Sequence, residues 1–230
     1  MPSHRSNLPH EALSVTSHPV TDNAPSQHVS EDVLWSPSLV ETCERTALLR
    51  QRGSIVWLTG LSGAGKSTIA HALEVRLMRA KKFAYVLDGD NVRHGLNRDL
   101  GFSAEDRHEN IRRVSEVACL FADAGAIVIV SFITPYAADR AAARAIAGKI
   151  PFIETHIHAD LTVCEARDPK GLYRKARAGL IRDFTGIDAP YEAPEKPDVK
   201  LDTGVLSVEA AVDQVMSALT VRGIFPPVAG

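Results

Sequence analysis

The chain has 230 residues, 45% of them hydrophobic, and a formal net charge of -2; that is enough apolar material for one substantial core and little for a second. The near-neutral balance excludes nonspecific nucleic-acid binding, so clustered cations read as local sites for an anionic small molecule. No apolar run approaches membrane-spanning length. Cys43, Cys119 and Cys164, odd in number and far apart, fit neither a disulfide framework nor a zinc site; they suit a reducing cytosol and read as small apolar core residues.

Residues 1 to about 34 are rich in Ser, Pro, His and Asn, and their apolar residues keep neither period. They read as a disordered tail without an apolar secretory core, and with Arg5 as their only Lys or Arg they make a poor transit peptide. His4, His10, His18 and His28 are too irregularly spaced to suggest a metal site. A domain is expected from Trp35 onward. Its first helix starts at Ser36-Pro37, and Val40, Cys43 and Ala47 keep helical spacing until Gly53.

The apolar run Ile55 to Thr59 then leads into Gly60-Leu61-Ser62-Gly63-Ala64-Gly65-Lys66-Ser67, followed by Thr68 and a helix that buries Ile69, Ala70 and Leu73. Strand, glycine-rich loop and helix in this order form a phosphate-binding loop. Its glycines bring backbone N–H groups against a polyphosphate, and the helix aims its positive end at the same anion. Lys66 reaches the β- and γ-phosphates, and the Ser67 hydroxyl ligates Mg²⁺. Alone, this motif would also allow a kinase for another small hydroxylated acceptor, or a domain that binds nucleotide without transferring phosphate.

The loop helix ends near Lys81-Lys82, and Phe83 to Leu87 is a short buried strand that delivers Asp88-Gly89-Asp90 beside the loop. Acids at the carboxyl end of a parallel strand are placed for chemistry. Ser103, with Asp106 at the capping-box position, opens a long helix that Gly125 closes; Ile111, Val114, Ala118 and Phe121 form its buried stripe. Arg107 and Asn110 share the face that borders the site.

Ala126 to Ser131 is a third strand, continuously apolar as in a sheet covered on both faces, and it delivers Phe132-Ile133-Thr134-Pro135 to the same edge. An Ala-rich helix ends at Gly148, Phe152 to Ile157 is a fourth strand, and Asp160 caps a short helix carrying Cys164 and Arg167. From Arg167 to Arg182 the cations Arg167, Lys170, Arg174, Lys175, Arg177 and Arg182 face the single acid Asp168, interleaved with Gly171 and Gly179. That stretch reads as a mobile lid, about 167–197, closing on a polyanion. Val199 to Leu201 is a fifth strand, and Val208, Val212, Val215 and Leu219 line a closing helix that stops at Gly223. The alternation predicts an α/β fold with a parallel sheet and right-handed crossovers.

The phosphate loop, Asp88-Gly89-Asp90-Asn91-Val92-Arg93, Gly95-Leu96-Asn97, Leu100-Gly101-Phe102-Ser103, Asp106 to Arg113, Arg167-Asp168-Pro169-Lys170-Gly171-Leu172-Tyr173 and Asp183 to Asp188 occur in one order. Together they closely resemble the adenylylsulfate kinase family, whose members phosphorylate the ribose 3′-hydroxyl of adenosine 5′-phosphosulfate (APS) with ATP. The resemblance covers roughly Trp35 to the end and leaves the tail outside. It implies a P-loop kinase fold with a five-stranded parallel core, ATP and Mg²⁺ as cofactors, and 3′-phosphoadenylyl sulfate (PAPS) and ADP as products in sulfate assimilation.

The resemblance further implies that Arg93, Arg107 and Asn110 hold the phosphosulfate end of APS while Phe102 and Phe184 stack on its adenine. Ile133 and Thr134 line the acceptor pocket, Lys170 reaches the reacting phosphates and Arg167 lies against the ATP base. Asp90 orients the acceptor hydroxyl, and Asp88 contacts the metal shell through water. Thr134 departs from the serine usual in the family, a residue often assigned as a phosphorylated intermediate; direct in-line transfer is expected here, since positioning and charge neutralisation suffice. The expected location is cytoplasmic. The partner reading admits a homodimer and a functional link to a sulfate adenylyltransferase, with neither nucleic acid nor membrane.

Overall fold

Five parallel strands carry the architecture of the computed structural model, which describes residues 32–34 and 36–225. The tail expected over residues 1–34 falls, apart from residues 32–34, outside the described residues, as does Trp35. The strands β1 (Ser54–Thr59), β2 (Ala84–Asp88), β3 (Ile127–Ser131), β4 (Phe152–His158) and β5 (Val199–Asp202) lie in the order β2-β3-β1-β4-β5, every pair parallel. Chain order thus reverses direction at β1. Strands two and three are laid to one side and four and five to the other, so the carboxyl end of β1 faces the crevice where open α/β sheets bind ligands.

Helices cover both faces, which is why β1 is buried at every position. Val56 and Leu58 of β1 pack with Ile69, Leu73 and Leu77 of α2 (Lys66–Arg79) and with Val212, Val215 and Leu219 of α8 (Val208–Val221). Ile55 and Trp57 point the other way. They pack with Ile111, Val114, Ala118 and Ala122 of α4 (Ala104–Asp123) and with Ala143 and Ala147 of α5 (Ala137–Ala147). Period-2 alternation on a strand between two helix layers places one apolar residue in each layer by turns.

Several local expectations are corrected. The first helix, α1, spans Thr42–Leu49 rather than starting at Ser36-Pro37, and it buries nothing; Val40, Cys43 and Ala47 are exposed. Its start is set by Glu41, whose backbone N–H donates to Glu44 Oε2 at 2.8 Å, and Arg50 at φ 51° ends it before Gly53. Cys43 is therefore not a core residue, whereas Cys119 is half-buried and Cys164 buried. In α4, Phe121 is half-buried and stacks on Tyr85 with ring centroids 5.0 Å apart, and Ala122 takes its place in the core. Asp160 sits at the N-terminal cap of α6 (Leu161–Arg167) but its side chain makes no capping bond. Two short helices, α3 (Gly89–His94) and α7 (Leu172–Arg177), lie where only loop and lid were expected. Ser103 Oγ does cap α4, accepting from the Asp106 N–H at 3.1 Å.

Candidate active site

The carboxyl ends of β1, β2, β3 and β5 open into a cleft of about 1180 Å³. Its floor is the phosphate loop. A Cβ on Gly60 would sit 2.2 Å from the Ile157 carbonyl oxygen, and one on Gly63, at φ 73°, would sit 2.8 Å from that of Cys164. Only glycine lets the loop pass so close to the neighbouring backbone. The N-terminal N–H groups of α2 lack partners inside the helix by geometry, which leaves them for an anion.

Lys66 is half-buried in the loop, its ammonium donating to the carbonyls of Gly60 at 2.9 Å and Leu61 at 2.8 Å. Burial lowers its pKa from 10.5 to about 8, because a desolvated ammonium is costly. Ser67 Oγ donates to Asp88 Oδ2 at 2.8 Å. The other oxygen of Asp88 accepts the N–H of Asp90 at 3.0 Å and so starts α3. A hydroxyl and a carboxylate side by side are hard oxygen donors of the kind Mg²⁺ selects, so the residues present fit that ion. Among the described residues there is no cluster of three or more His, Cys, Asp or Glu that could hold a metal on its own.

Ser62, Gly63, Gly65, Lys66, Ser67 and Thr68 line the cleft. Gly60, Leu61, Ala64 and Asp88 stand behind that lining: the first two receive Lys66, Ala64 is fully buried, and Asp88 backs Ser67.

The opposite wall is assembled from distant segments. Asp90, Arg93, Phe102, Arg107, Asn110, Ile133, Thr134, Arg167, Lys170 and Phe184 all line the same cleft. Arg93 donates to the carbonyls of Leu100 and Gly101 and lies 4.4 Å from the centroid of the Phe102 ring, a cation–π distance. Burial, reinforced by the neighbouring Arg107 cation, lowers the Arg93 pKa. Arg107 donates to the Phe102 carbonyl and, across to the lid, to that of Asp183 at 3.0 Å. Asn110 is buried, and its Oδ1 accepts from Asn97 Nδ2 at 2.9 Å, which fixes the amide. Phe102 is 64% exposed, whereas Phe184 is buried and meets Tyr173 edge-on at 5.0 Å.

The 167–183 segment is held at both sides of the cleft. Lys170 makes an ion pair with Asp90. Arg167 donates to the Gly63 carbonyl and to both oxygens of Thr203, and the Tyr173 hydroxyl donates to the Ser62 carbonyl at 3.0 Å. Arg177 pairs with Glu165. So Arg167, Lys170 and Arg177 find partners outside the stretch whose composition shows one acid.

Thr203 is a residue that the sequence reading missed. Its hydroxyl donates to the Ala64 carbonyl at 2.7 Å and joins the loop to the end of β5. Its position just after a parallel strand is the signal that already marked Asp88 and Thr134. Leu180, Ile181, Leu206 and Val208 also line the cleft without having been expected; they are apolar, and only tertiary placement distinguishes them from core.

The family model described as adenylylsulphate kinase matches residues 52–202. An adenylyl-sulfate kinase of Clostridium acetobutylicum is 53% identical over 190 residues, covering 83% of this chain and 94% of that one. Among solved structures, an APS kinase of Mycobacterium tuberculosis in complex with AMPPNP and APS superposes with a TM-score of 0.71 at 52% identity, covering 74% of this chain and 98% of that chain. A hexameric APS kinase from Thiobacillus denitrificans is similar at 33% identity with a TM-score of 0.61, covering 81% of this chain and 31% of that one.

Proposed function

This chain belongs to the adenylylsulphate kinase family, and on that premise we propose how its cleft moves the γ-phosphoryl group of ATP to the ribose 3′-hydroxyl of APS, giving PAPS and ADP. The observation that carries the assignment of roles is the convergence, on one cleft, of a phosphate loop and an acceptor wall bearing Asp90, Arg93 and Arg107.

The loop N–H groups and Lys66 bind the polyphosphate, and the ammonium exchanges the Gly60 and Leu61 carbonyls for phosphate oxygens. Ser67 and Asp88 would hold Mg²⁺, which would supply positive charge to offset that of the phosphates. Arg167, between Gly63 and Thr203, borders the ATP base. On the other side Arg93, Arg107 and Asn110 take the phosphosulfate, and Phe102 and Phe184 flank the adenine of APS.

Asp90 orients the 3′-hydroxyl and accepts its proton late in transfer. Lys170, ion-paired with Asp90, reaches the reacting phosphates. Transfer is direct. The Thr134 hydroxyl accepts from the Trp57 indole N–H at 3.1 Å, and among the described residues no carboxylate or imidazole is hydrogen-bonded to it to act as its base.

We extend the reading to a cytoplasmic protein that self-associates, as the hexameric relative does, with a homodimer as the smallest assembly, and that receives APS from a sulfate adenylyltransferase. Among the described residues no helix is long and apolar enough to cross a membrane. The deciding experiment is ADP release coupled to APS, with PAPS identified by mass spectrometry. Turnover confined to some other hydroxylated acceptor would overturn the assignment.

A further inference from the structure

The turn Ile133-Thr134-Pro135 at the end of β3 is held in a conformation its own residues oppose. Thr134 has φ 42° and is 2% exposed. A β-branched residue at positive φ is an outlier, and a residue followed by proline is pushed toward an extended, negative φ. Such strain persists only where the surroundings over-determine it, and here the surroundings can be named. The Thr134 carbonyl accepts from Arg140 Nη1 at 2.9 Å in a buried bond, Thr59 Oγ1 donates to the adjacent Ile133 carbonyl at 2.6 Å with the Thr134 carbonyl oxygen farther off at 3.3 Å, and the Thr134 hydroxyl is held by Trp57. Arg140, in α5, is 5% exposed and donates through Nε to Glu154 Oε1 at 2.8 Å. Glu154 is anchored in turn, its N–H donating to Asp198 Oδ2 at 2.7 Å, while Arg222 takes the other oxygen of Asp198.

We propose that Arg140 is a positioning residue for phosphoryl transfer: it clamps the Thr134 carbonyl so that the strained turn keeps Ile133, Thr134 and Pro135 as the wall of the acceptor pocket. The inference rests on the reading of that wall as the APS side of the cleft. Without the clamp, Thr134 relaxes to negative φ, the peptide planes on both sides rotate, and the wall shifts by a distance that matters to in-line attack. Among the described residues no hydrogen bond joins Arg140 to the phosphate loop; its side-chain partners are Glu154 and the Thr134 carbonyl, so the ATP side should keep its geometry.

The test is Arg140→Lys, which keeps a cation for Glu154 but cannot serve both acceptors with one planar fork. The expected result is a fall in kcat/KM for APS of about tenfold to a hundredfold, with the KM for ATP moving less than about twofold. Glycine adopts positive φ without penalty, so in a Thr134→Gly background the same Arg140→Lys change should cost less than about threefold. An equal cost in both backgrounds, or none in the natural one, makes Arg140 an ordinary core ion pair and overturns the proposal. Should Arg140→Lys fail to fold, Arg140→Met combined with Glu154→Gln removes both buried charges and is run through the same cycle.

A second readout needs no turnover. In ¹⁵N-labelled Trp35→Phe protein the Trp57 indole resonance reports the bond to Thr134, and Arg140→Lys should move it toward that of a free indole. An unmoved resonance would count against the clamp whatever the substrate is, whereas natural protein that never phosphorylates APS would count against the functional reading alone.

Discussion

The two walls of the cleft are built by opposite means. The phosphate-loop side is mostly one continuous stretch from Ser54 to Arg79, a buried strand, a glycine-rich loop and a helix whose geometry follows from adjacent residues, with Asp88, Arg167 and Thr203 joined to it from other segments. The acceptor side draws Asp90 from the end of β2, Arg107 from α4, Thr134 from the end of β3 and Phe184 from the lid, segments separated by tens of residues. A local site can be held by turn chemistry and a helix N-terminus. A composite one has to be held by side chains such as Arg107, Asn97 and Arg140 that reach backbone or amide groups elsewhere in the chain. The two walls should therefore respond differently to substitution: the local one through the charge it supplies, the composite one through the alignment it keeps.

The largest effect expected is on the local side. Lys66→Ala removes the cation at the transferring group and should lower kcat by about a thousandfold or more while the melting temperature stays close to that of the natural protein; a folded variant with near-normal turnover would break the comparison at its strongest point. Next is the composite side, where Asp90→Ala should cost more than Thr134→Val. The Val variant should stay within about a hundredfold of the natural enzyme if a single hydrogen bond is lost. Intact-mass spectrometry after incubation with ATP alone should find no added phosphate. Stoichiometric phosphothreonine at residue 134 that chases into product would instead establish a covalent step.

A smaller effect separates recognition from chemistry. Arg107→Ala should narrow the preference for APS over adenosine by about tenfold to a hundredfold, since one charge-assisted contact to the anionic tail is lost. Equal kcat/KM for the two acceptors in the natural enzyme would refute the assignment of Arg93 and Arg107 to the phosphosulfate.

The smallest effect is a pH dependence belonging to the local wall. In the free protein Lys66 titrates near 8, below its usual 10.5, because burial disfavours the charged form. A polyphosphate favours that charged form, so nucleotide binding should take up protons and weaken as pH rises from 8 toward 10.5, by less than about tenfold per pH unit. Titration calorimetry of an ATP analogue in buffers of different ionisation enthalpy reads the proton uptake directly. No uptake at pH 8.5 would mean that the ammonium is already stabilised by its two carbonyls.

Much of the cleft was nonetheless legible, because parallel strands end on one edge and acids or turns placed there face a common crevice. Asp88, Asp90 and Thr134 were marked by that rule, and Thr203 could have been by the same rule at the end of β5. Less legible were elements whose burial depends on what covers them. Val40, just before α1, and Cys43 and Ala47 within it keep a helical spacing as regular as that of Ile69, Ala70 and Leu73 in α2, yet the first set is exposed and the second buried. Periodicity shows which residues share a face, not whether another element meets it. The lid cations posed the same difficulty, since their partners Asp90 and Glu165 lie outside the charged run.

By itself, the order of residues determined the phosphate loop, the alternation of strand and helix, the capping of α4 by Ser103 and the continuously apolar run of β3, because each depends on neighbours within a few positions along the chain. Only the tertiary structure decided the strand order around β1, the pairing of Lys170 with Asp90 and the positive φ of Thr134. Those features are set by groups far apart in sequence. Thr134 and Pro135 would choose an extended conformation if left to themselves, and the turn they form instead exists because Trp57, Thr59 and Arg140, brought in by β1 and α5, hold it there.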